Sequence, residues 1–146
     1  MHDTEFHSHR IVPFPRSQVF AAHRDPAILA TWWGPAGFTN TFQEFDFREG
    51  GRWRFTMHGP DGGNYDNLWI FRRIVTDECL EMRHDCAPFF SMTITFTDVP
   101  QGTHVDWLAN FDDAKVLAAL LSMILKANEE NFDRLESVLA QSNGSD

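Results

Sequence analysis

Between Phe38 and Phe111 the apolar residues recur with a period of two in one short run after another, and from about Ala114 the period changes to that of a single long helix. A chain patterned this way builds a sheet of successive hairpins and one helix that lies along it, because neither element can bury its apolar side alone. After the turn residues Glu49-Gly50-Gly51, Trp53, Phe55 and Met57 share one face and Arg52, Arg54 and Thr56 the other. The segment His58-Gly59-Pro60-Asp61-Gly62-Gly63-Asn64 is dense turn chemistry. The run over residues 65–75 is bulky on both sides, with Leu68, Ile70 and Ile74 opposite Trp69 and Phe71, and predicts a strand covered on both faces. Leu80, Met82 and His84 then alternate with Glu81, Arg83 and Asp85. Phe90, Met92, Ile94 and Phe96 alternate with Ser91, Thr93, Thr95 and Thr97, and Val105, Trp107, Ala109 and Phe111 complete an antiparallel meander.

The helical segment is read as residues 114–140, opening after Asp112-Asp113, whose charges suit the positive end of a helix dipole. Leu117, Leu121, Ile124, Asn128, Phe132, Leu135 and Leu139 form its stripe, over a length of about 40 Å at 1.5 Å per residue. At the other end, a strand over residues 5–12 stops at Pro13-Phe14-Pro15. A first short helix follows, ending near His23, and Asp25-Pro26 caps a second that runs to Gly34-Pro35. The domain is read as residues 5–141, with 142–146 a frayed tail.

Composition narrows function. The chain has 146 residues, suited to one core, yet it holds 14 Phe, 5 Trp and 1 Tyr. That much ring surface points either to an unusually aromatic core or to an internal site lined with rings. The net charge of -9, with no basic cluster longer than a pair, argues against nucleic acid and anionic membranes as partners. The longest apolar stretch, residues 116–125, is too short to span a bilayer, and the opening residues carry no secretion signal, so the expected compartment is the cytoplasm. Cys79 and Cys86, read as sharing a strand, would lie roughly 23 Å apart on opposite faces, which excludes an internal disulfide, and no CxxC motif is present.

Four motifs then occur in order: Trp32-Trp33-Gly34-Pro35-x-Gly37-Phe38; Asp46-x-Arg48-x-Gly50-Gly51-x-Trp53-Arg54-Phe55; Met57-His58-Gly59-Pro60-Asp61-Gly62; and Met92-Thr93-x-Thr95-Phe96. Together they resemble the bacterial branch of the family named for the activator of heat-shock protein 90 ATPase, within the START-like (SRPBCC, helix-grip) superfamily. The resemblance implies an α+β helix-grip fold, in which a curved antiparallel sheet of six to seven strands and two short helices grips one long C-terminal helix around an elongated cavity. The chain departs from the family pattern where Gly and an apolar residue are common near the end of the last helix. Here the residues are Ala127-Asn128, followed by Glu129 and Glu130. A polar Asn128 on the inward stripe requires a hydrogen-bond partner or a water there.

The expected ligand-binding set is Trp32, Trp53, Phe55, Trp69, Phe71, Phe90, Met92 and Trp107, with Ile124 on the helix, and Asn128 or Lys126 fixing a polar end; the competing reading of the rings is plain core. His7-x-His9 puts two imidazoles on one strand face near His2, but sequence fixes no third ligand, so no metal is expected and an exposed edge strand is the reading. His58 and His84, the latter beside Arg83 and Asp85, are the candidates for proton transfer, a role that the resemblance to START-like cyclases implies. His58 is read as satisfying its turn. Arg52 and Arg54 are read as solvent-facing, able to pair with Asp46 or Glu44. No nucleophile elbow, phosphate loop or HExxH is present. The resulting expectation is a binder of a hydrophobic or aromatic small molecule, without cofactor and not an enzyme. A homodimer is the partner expected if the two-faced strand needs covering. The alternatives are a cyclase, dehydratase or hydrolase-like activity on a polyketide-type or aromatic substrate, and a chaperone-interacting module in a stress response, which rests on the family name.

Overall fold

The computed structural model describes residues 3–144, with side chains through Gln141. The chain runs β1 (Glu5–Val12), α1 (Arg16–Arg24), α2 (Pro26–Trp32), β2 (Thr39–Phe45), β3 (Arg52–His58), β4 (Asn64–Val75), β5 (Cys79–His84), β6 (Phe90–Val99), β7 (Gly102–Phe111) and α3 (Ala114–Gly144). The strands form one curved antiparallel sheet in the order β1-β7-β6-β5-β4-β3-β2. Only the step from β1 to β7 joins strands distant in sequence; the rest is a meander of hairpins, as the alternating runs predict. Asp25 caps α2 as expected, its carboxylate accepting from Ala27 N–H at 3.0 Å, with Pro26 in the first turn where a missing N–H costs nothing.

Two irregularities in the ladder decide which residues face inward. Between Phe71 and Arg73 the pairing of β4 with β5 shifts by one, so Trp69, Phe71 and Ile74 oppose His84, Met82 and Leu80 on the concave side. Ile74 therefore joins the face of Trp69 instead of opposing it, and it packs against the core. This corrects the expectation of a strand covered on both faces. The outer side of β4 offers only the half-buried Leu68 and Ile70, followed by the exposed Arg72 and Arg73. A bulge leaves no mark in a hydrophobic pattern when both residues at it are polar, as Arg72-Arg73 are. A second shift, between Phe42 and Glu44, lets Phe42 and Phe45 both reach the core.

The long helix is held unevenly. In its C-terminal half Phe132, Leu135 and Leu139 are buried, and polar groups fasten it to the rest of the molecule. Arg10 of β1 bonds Asp133 at 2.7 Å, Glu136 at 2.6 Å and Glu129 at 2.9 Å. Arg134 donates to the carbonyls of Thr31, Gly34, Pro35 and Phe38 at 2.9–3.0 Å. Asn131 accepts from Gly34 N–H and donates to Trp32 O. In the N-terminal half Leu117 is buried, but Leu121, Ile124 and Asn128 are only half-buried, and Met123 is 62% exposed. The stripe read from the sequence is thus sealed at its ends and lifted in the middle. The helix continues to Gly144, so Ser142, Asn143 and Gly144 are helical where a frayed tail was expected; Ser145 and Asp146 lie outside the described residues. Cys86 lies beyond the end of β5, so the two cysteines do not share that strand, and both thiols are free.

Beneath the sealed half lies the aromatic core, which includes Phe20, Trp32, Trp53, Phe55, Phe71 and Phe132. His23 is buried among these rings, edge-on to Trp32 at 4.8 Å and Phe96 at 5.0 Å, with Nδ1 donating to Val19 O at 2.9 Å. Burial pushes its pKa down to about 4 from 6.5. Above pH 6.5 the imidazole is neutral in both folded and unfolded chains; below it, the unfolded chain takes up the proton first, so stability falls as pH falls from 6.5 toward 4. Between pH 7 and 5.5 His23 is expected to remove about 1 kcal/mol of stability. Urea midpoints at the two pH values check this. His23→Phe should flatten that component, and equal pH losses in the two proteins would contradict it.

Candidate functional site

Where α3 lifts off the sheet, a cavity of about 290 Å³ opens between its N-terminal half and the concave face. That volume lies at the lower end of small-molecule sites. Its sheet wall comes from Trp69 of β4, His84 of β5, Phe90 and Met92 of β6, and Trp107, Ala109 and Phe111 of β7. These positions alternate inward by the period of the strands. The helix contributes Leu120, Met123, Ile124, Asn128 and Asn131, spread over about three turns. The turn after α2 closes one end with Trp33, Gly34 and Pro35, and Gly34 can make that turn because its φ of 103° is a conformation side chains disfavour. A surface groove bordered by Phe38, Tyr65 and Lys126 adjoins the cavity and shares Pro35, Met57, Met123, Ile124 and Asn128 with it.

Of the residues singled out from the sequence, Trp69, Phe90, Met92, Trp107, Ile124 and Asn128 line this space together. Trp32, Trp53, Phe55 and Phe71 do not. Trp32 is turned away, its indole N–H donating to Ala22 O at 3.1 Å. Trp53 stacks on Phe55 at 4.4 Å and is walled off by Phe42, Phe45 and Trp33, so the β2–β3 end of the sheet curls shut on itself and leaves no space over these rings. Sequence reasoning missed Trp33, which follows α2, stands 5.5 Å from Trp107 and lines the cavity where Trp32 was expected to. It also missed Phe6, Asn67, Pro88, Leu120 and Met123. Ala109 and Phe111 were legible, since they continue the alternation of Trp107. Trp33 was not, because it follows the last helical residue, where no period applies.

The two candidate histidines part company. His58 is on the opposite face of β3 from Met57, between Thr41 Oγ1 at 2.7 Å and Asn64 Oδ1 at 2.6 Å, so its ring meets side chains of the neighbouring strands where turn backbone was the expected partner. His84 is 5% exposed and lines the cavity. Its Nδ1 lies 2.7 Å from Pro88 O, and its Nε2 lies 3.0 Å from Asn67 Oδ1 and 3.4 Å from Cys86 Sγ, with the Trp69 and Phe90 rings at 4.8 and 4.7 Å. Burial holds its pKa below the usual histidine value against the pull of the Pro88 carbonyl. The two ring nitrogens face two oxygen acceptors, Pro88 O and Asn67 Oδ1, and a neutral ring donates its single N–H to one of them. Arg83, which points the other way, pairs with Asp112.

Asn128 meets the requirement set by its position. Its Nδ2 donates to Ser8 Oγ at 2.9 Å, and its Oδ1 takes no donor among the described residues. The buried indole N–H groups of Trp69 and Trp107 also lack an acceptor among the described residues. The site is therefore a mostly apolar, ring-lined slot with a few polar atoms on its wall. No three metal-ligating side chains converge among the described residues, and no described helix is long and apolar enough to cross a membrane.

Comparison with known proteins agrees with this architecture. The family described as Activator of Hsp90 ATPase homolog 1-like protein matches residues 13–140. Among solved structures, a protein from Nitrosomonas europaea superposes with a TM-score of 0.90 at 18% identity, covering 99% of each chain. A protein from Arthrobacter aurescens gives 0.87 at 22% identity, covering 95% of this chain and 87% of its own. An AHSA1-like protein from Aeromonas hydrophila gives 0.79 at 18% identity, covering 95% and 94%. Among curated proteins no sequence matches. At these identities the solved structures share the fold.

Proposed function

We propose that this chain, which belongs to the activator of Hsp90 ATPase homolog 1-like family, binds a flat hydrophobic or aromatic small molecule between its sheet and α3, as a single unit of about residues 5–141. The observation that carries this reading is the ring-lined cavity itself. Trp69, Phe90, Met92 and Trp107 offer stacking and adaptable apolar surface, and the lifted half of α3 leaves a way in along the groove beside Pro35. Each 100 Å² of apolar ligand surface removed from water supplies roughly 2.5 kcal/mol, against a fixed cost of association. The acceptor on Asn128 selects a ligand with a donor such as a hydroxyl near it. Two free thiols suit a reducing compartment, and the cytoplasm is the compartment we propose.

N-phenyl-1-naphthylamine, a neutral ring pair that fluoresces in apolar surroundings, is a suitable probe. Saturable binding of one equivalent with quenching of tryptophan emission is expected; no binding up to the solubility of the probe would overturn the reading.

One observation favours a second reading. His84 lines the cavity with a neutral ring nitrogen, as a general base for a cyclase, dehydratase or hydrolase-like step would. His84→Asn should then abolish turnover of an identified substrate while leaving probe affinity within a few-fold. A chaperone-interacting role rests on the family name alone. The half-exposed outer side of β4 leaves the argument for a homodimer without its premise.

A further inference from the structure

On the opposite face of the sheet from the cavity, the β1–β7 edge gathers three imidazoles and a carboxylate that the binding reading does not use. His7 and His9 share the outer face of β1, and the register sets His9 against Asp106 and Ile11 against His104, which puts His104 and Asp106 on that same face. His9 Nδ1 lies 3.0 Å from His104 Nε2, with the ring planes at 77°. His7 Nδ1 lies 2.9 Å from Asp106 Oδ1, which holds that carboxylate beside His9. The fold thus completes what the His7-x-His9 spacing left open, because the partner of His9 comes from the other end of the chain.

We propose that His9 Nδ1 and His104 Nε2 form a chelating site for a divalent transition-metal ion of the copper(II) or nickel(II) type. Two nitrogens 3.0 Å apart, each about 2.0 Å from a shared ion, subtend an angle of about 97°. That is close to the right angle between neighbouring ligands of a square-planar or tetragonal ion, whereas a tetrahedral zinc ion would need the nitrogens about 3.3 Å apart. The ion takes the place of the proton that lies between the two facing nitrogens, and the ring that gave it carries that proton on its other nitrogen, so two neutral rings bind without net proton release; acid weakens binding because protons compete with the ion for the same nitrogens. Water fills the remaining positions, since no three protein ligands converge among the described residues. Asp106 lowers the cost of placing a cation there, and β1, as an edge strand, leaves the face open. Copper(II) should bind more tightly than nickel(II), following the general order of affinities.

The test uses copper(II) alone on the full chain. Substoichiometric copper should broaden the ring signals of His9 and His104 in proton–nitrogen spectra before those of His58 and His23. Calorimetry should give a micromolar site that His104→Gln weakens at least tenfold, with the urea midpoint and the binding of N-phenyl-1-naphthylamine unchanged. His9→Gln should do the same, so that one poorly folding variant does not decide the matter. The Met1-His2 amino terminus is a competing copper ligand by its chemistry. If the full affinity survives in His9→Gln/His104→Gln, or if zinc binds the wild type more tightly than copper does, the proposal is overturned.

Discussion

Replacing Arg134 by alanine is expected to cost the fold about 3 kcal/mol, read as a lower urea midpoint with an unchanged slope. The guanidinium holds the segment between α2 and β2 by its carbonyls alone. Nη1 donates to Gly34 O and Pro35 O at 2.9 Å and more weakly to Trp33 O at 3.4 Å, while Nη2 donates to Thr31 O at 3.0 Å and Phe38 O at 2.9 Å. A planar fork with five N–H groups can satisfy carbonyls spread over eight residues; a single ammonium cannot, so Arg134→Lys should recover less than half of the loss. Bonds to a charged donor contribute about 1.5–3 kcal/mol each where water is excluded, and half-burial at this site reduces their sum. The same segment forms the Gly34-Pro35 end of the cavity, so probe affinity should fall along with stability. A variant within 0.5 kcal/mol of wild type would show that the segment is held by Asn131 and Trp32 instead.

Ala109→Phe is the complementary change, aimed at the space and not at the scaffold. Ala109 sits on β7 opposite Met92, faces inward and is the smallest residue of the sheet wall. A phenyl group there occupies the slot between Trp107 and the helix. The affinity for N-phenyl-1-naphthylamine should drop at least a hundredfold, while stability stays within about 1 kcal/mol of wild type, because an apolar void is filled without burying a polar group. Ala109→Leu, which fills less, should give an intermediate affinity and guards against overpacking. Unchanged probe binding in both variants would place the probe elsewhere on the molecule.

Much of the architecture was legible because it rests on periodicity. The alternation around Trp53, Met92 and Trp107 located strands to within a few residues, and Asp25-Pro26 marked a helix start by its capping chemistry. What periodicity cannot register is a slip in itself. The bulge at Arg72 moved Ile74 across the sheet, and nothing in a pair of arginines announces it. The site was half legible for the same reason. Strand alternation sorts Trp69, Met92 and Trp107 to the concave side, but it sorts Trp53, Phe55 and Phe71 there as well. Whether a ring meets space or another ring depends on where the sheet curls shut and where α3 lifts, and both are set by contacts between distant segments. Arg134 is the clearest case, since a basic residue on a helix gives no sign that five backbone carbonyls will converge on it.

The most direct measurement is a proton–nitrogen correlation spectrum of the chain titrated with one equivalent of N-phenyl-1-naphthylamine, following the indole N–H signals. Binding in the slot under α3 predicts large shifts for Trp69, Trp107 and Trp33, whose rings line it, and small ones for Trp53 and Trp32, which stand in the core behind. Shifts confined to the amides around the exposed Val116 and Leu125, with every indole signal unmoved, would mean that the probe adheres to the outside of the helix and would contradict the account.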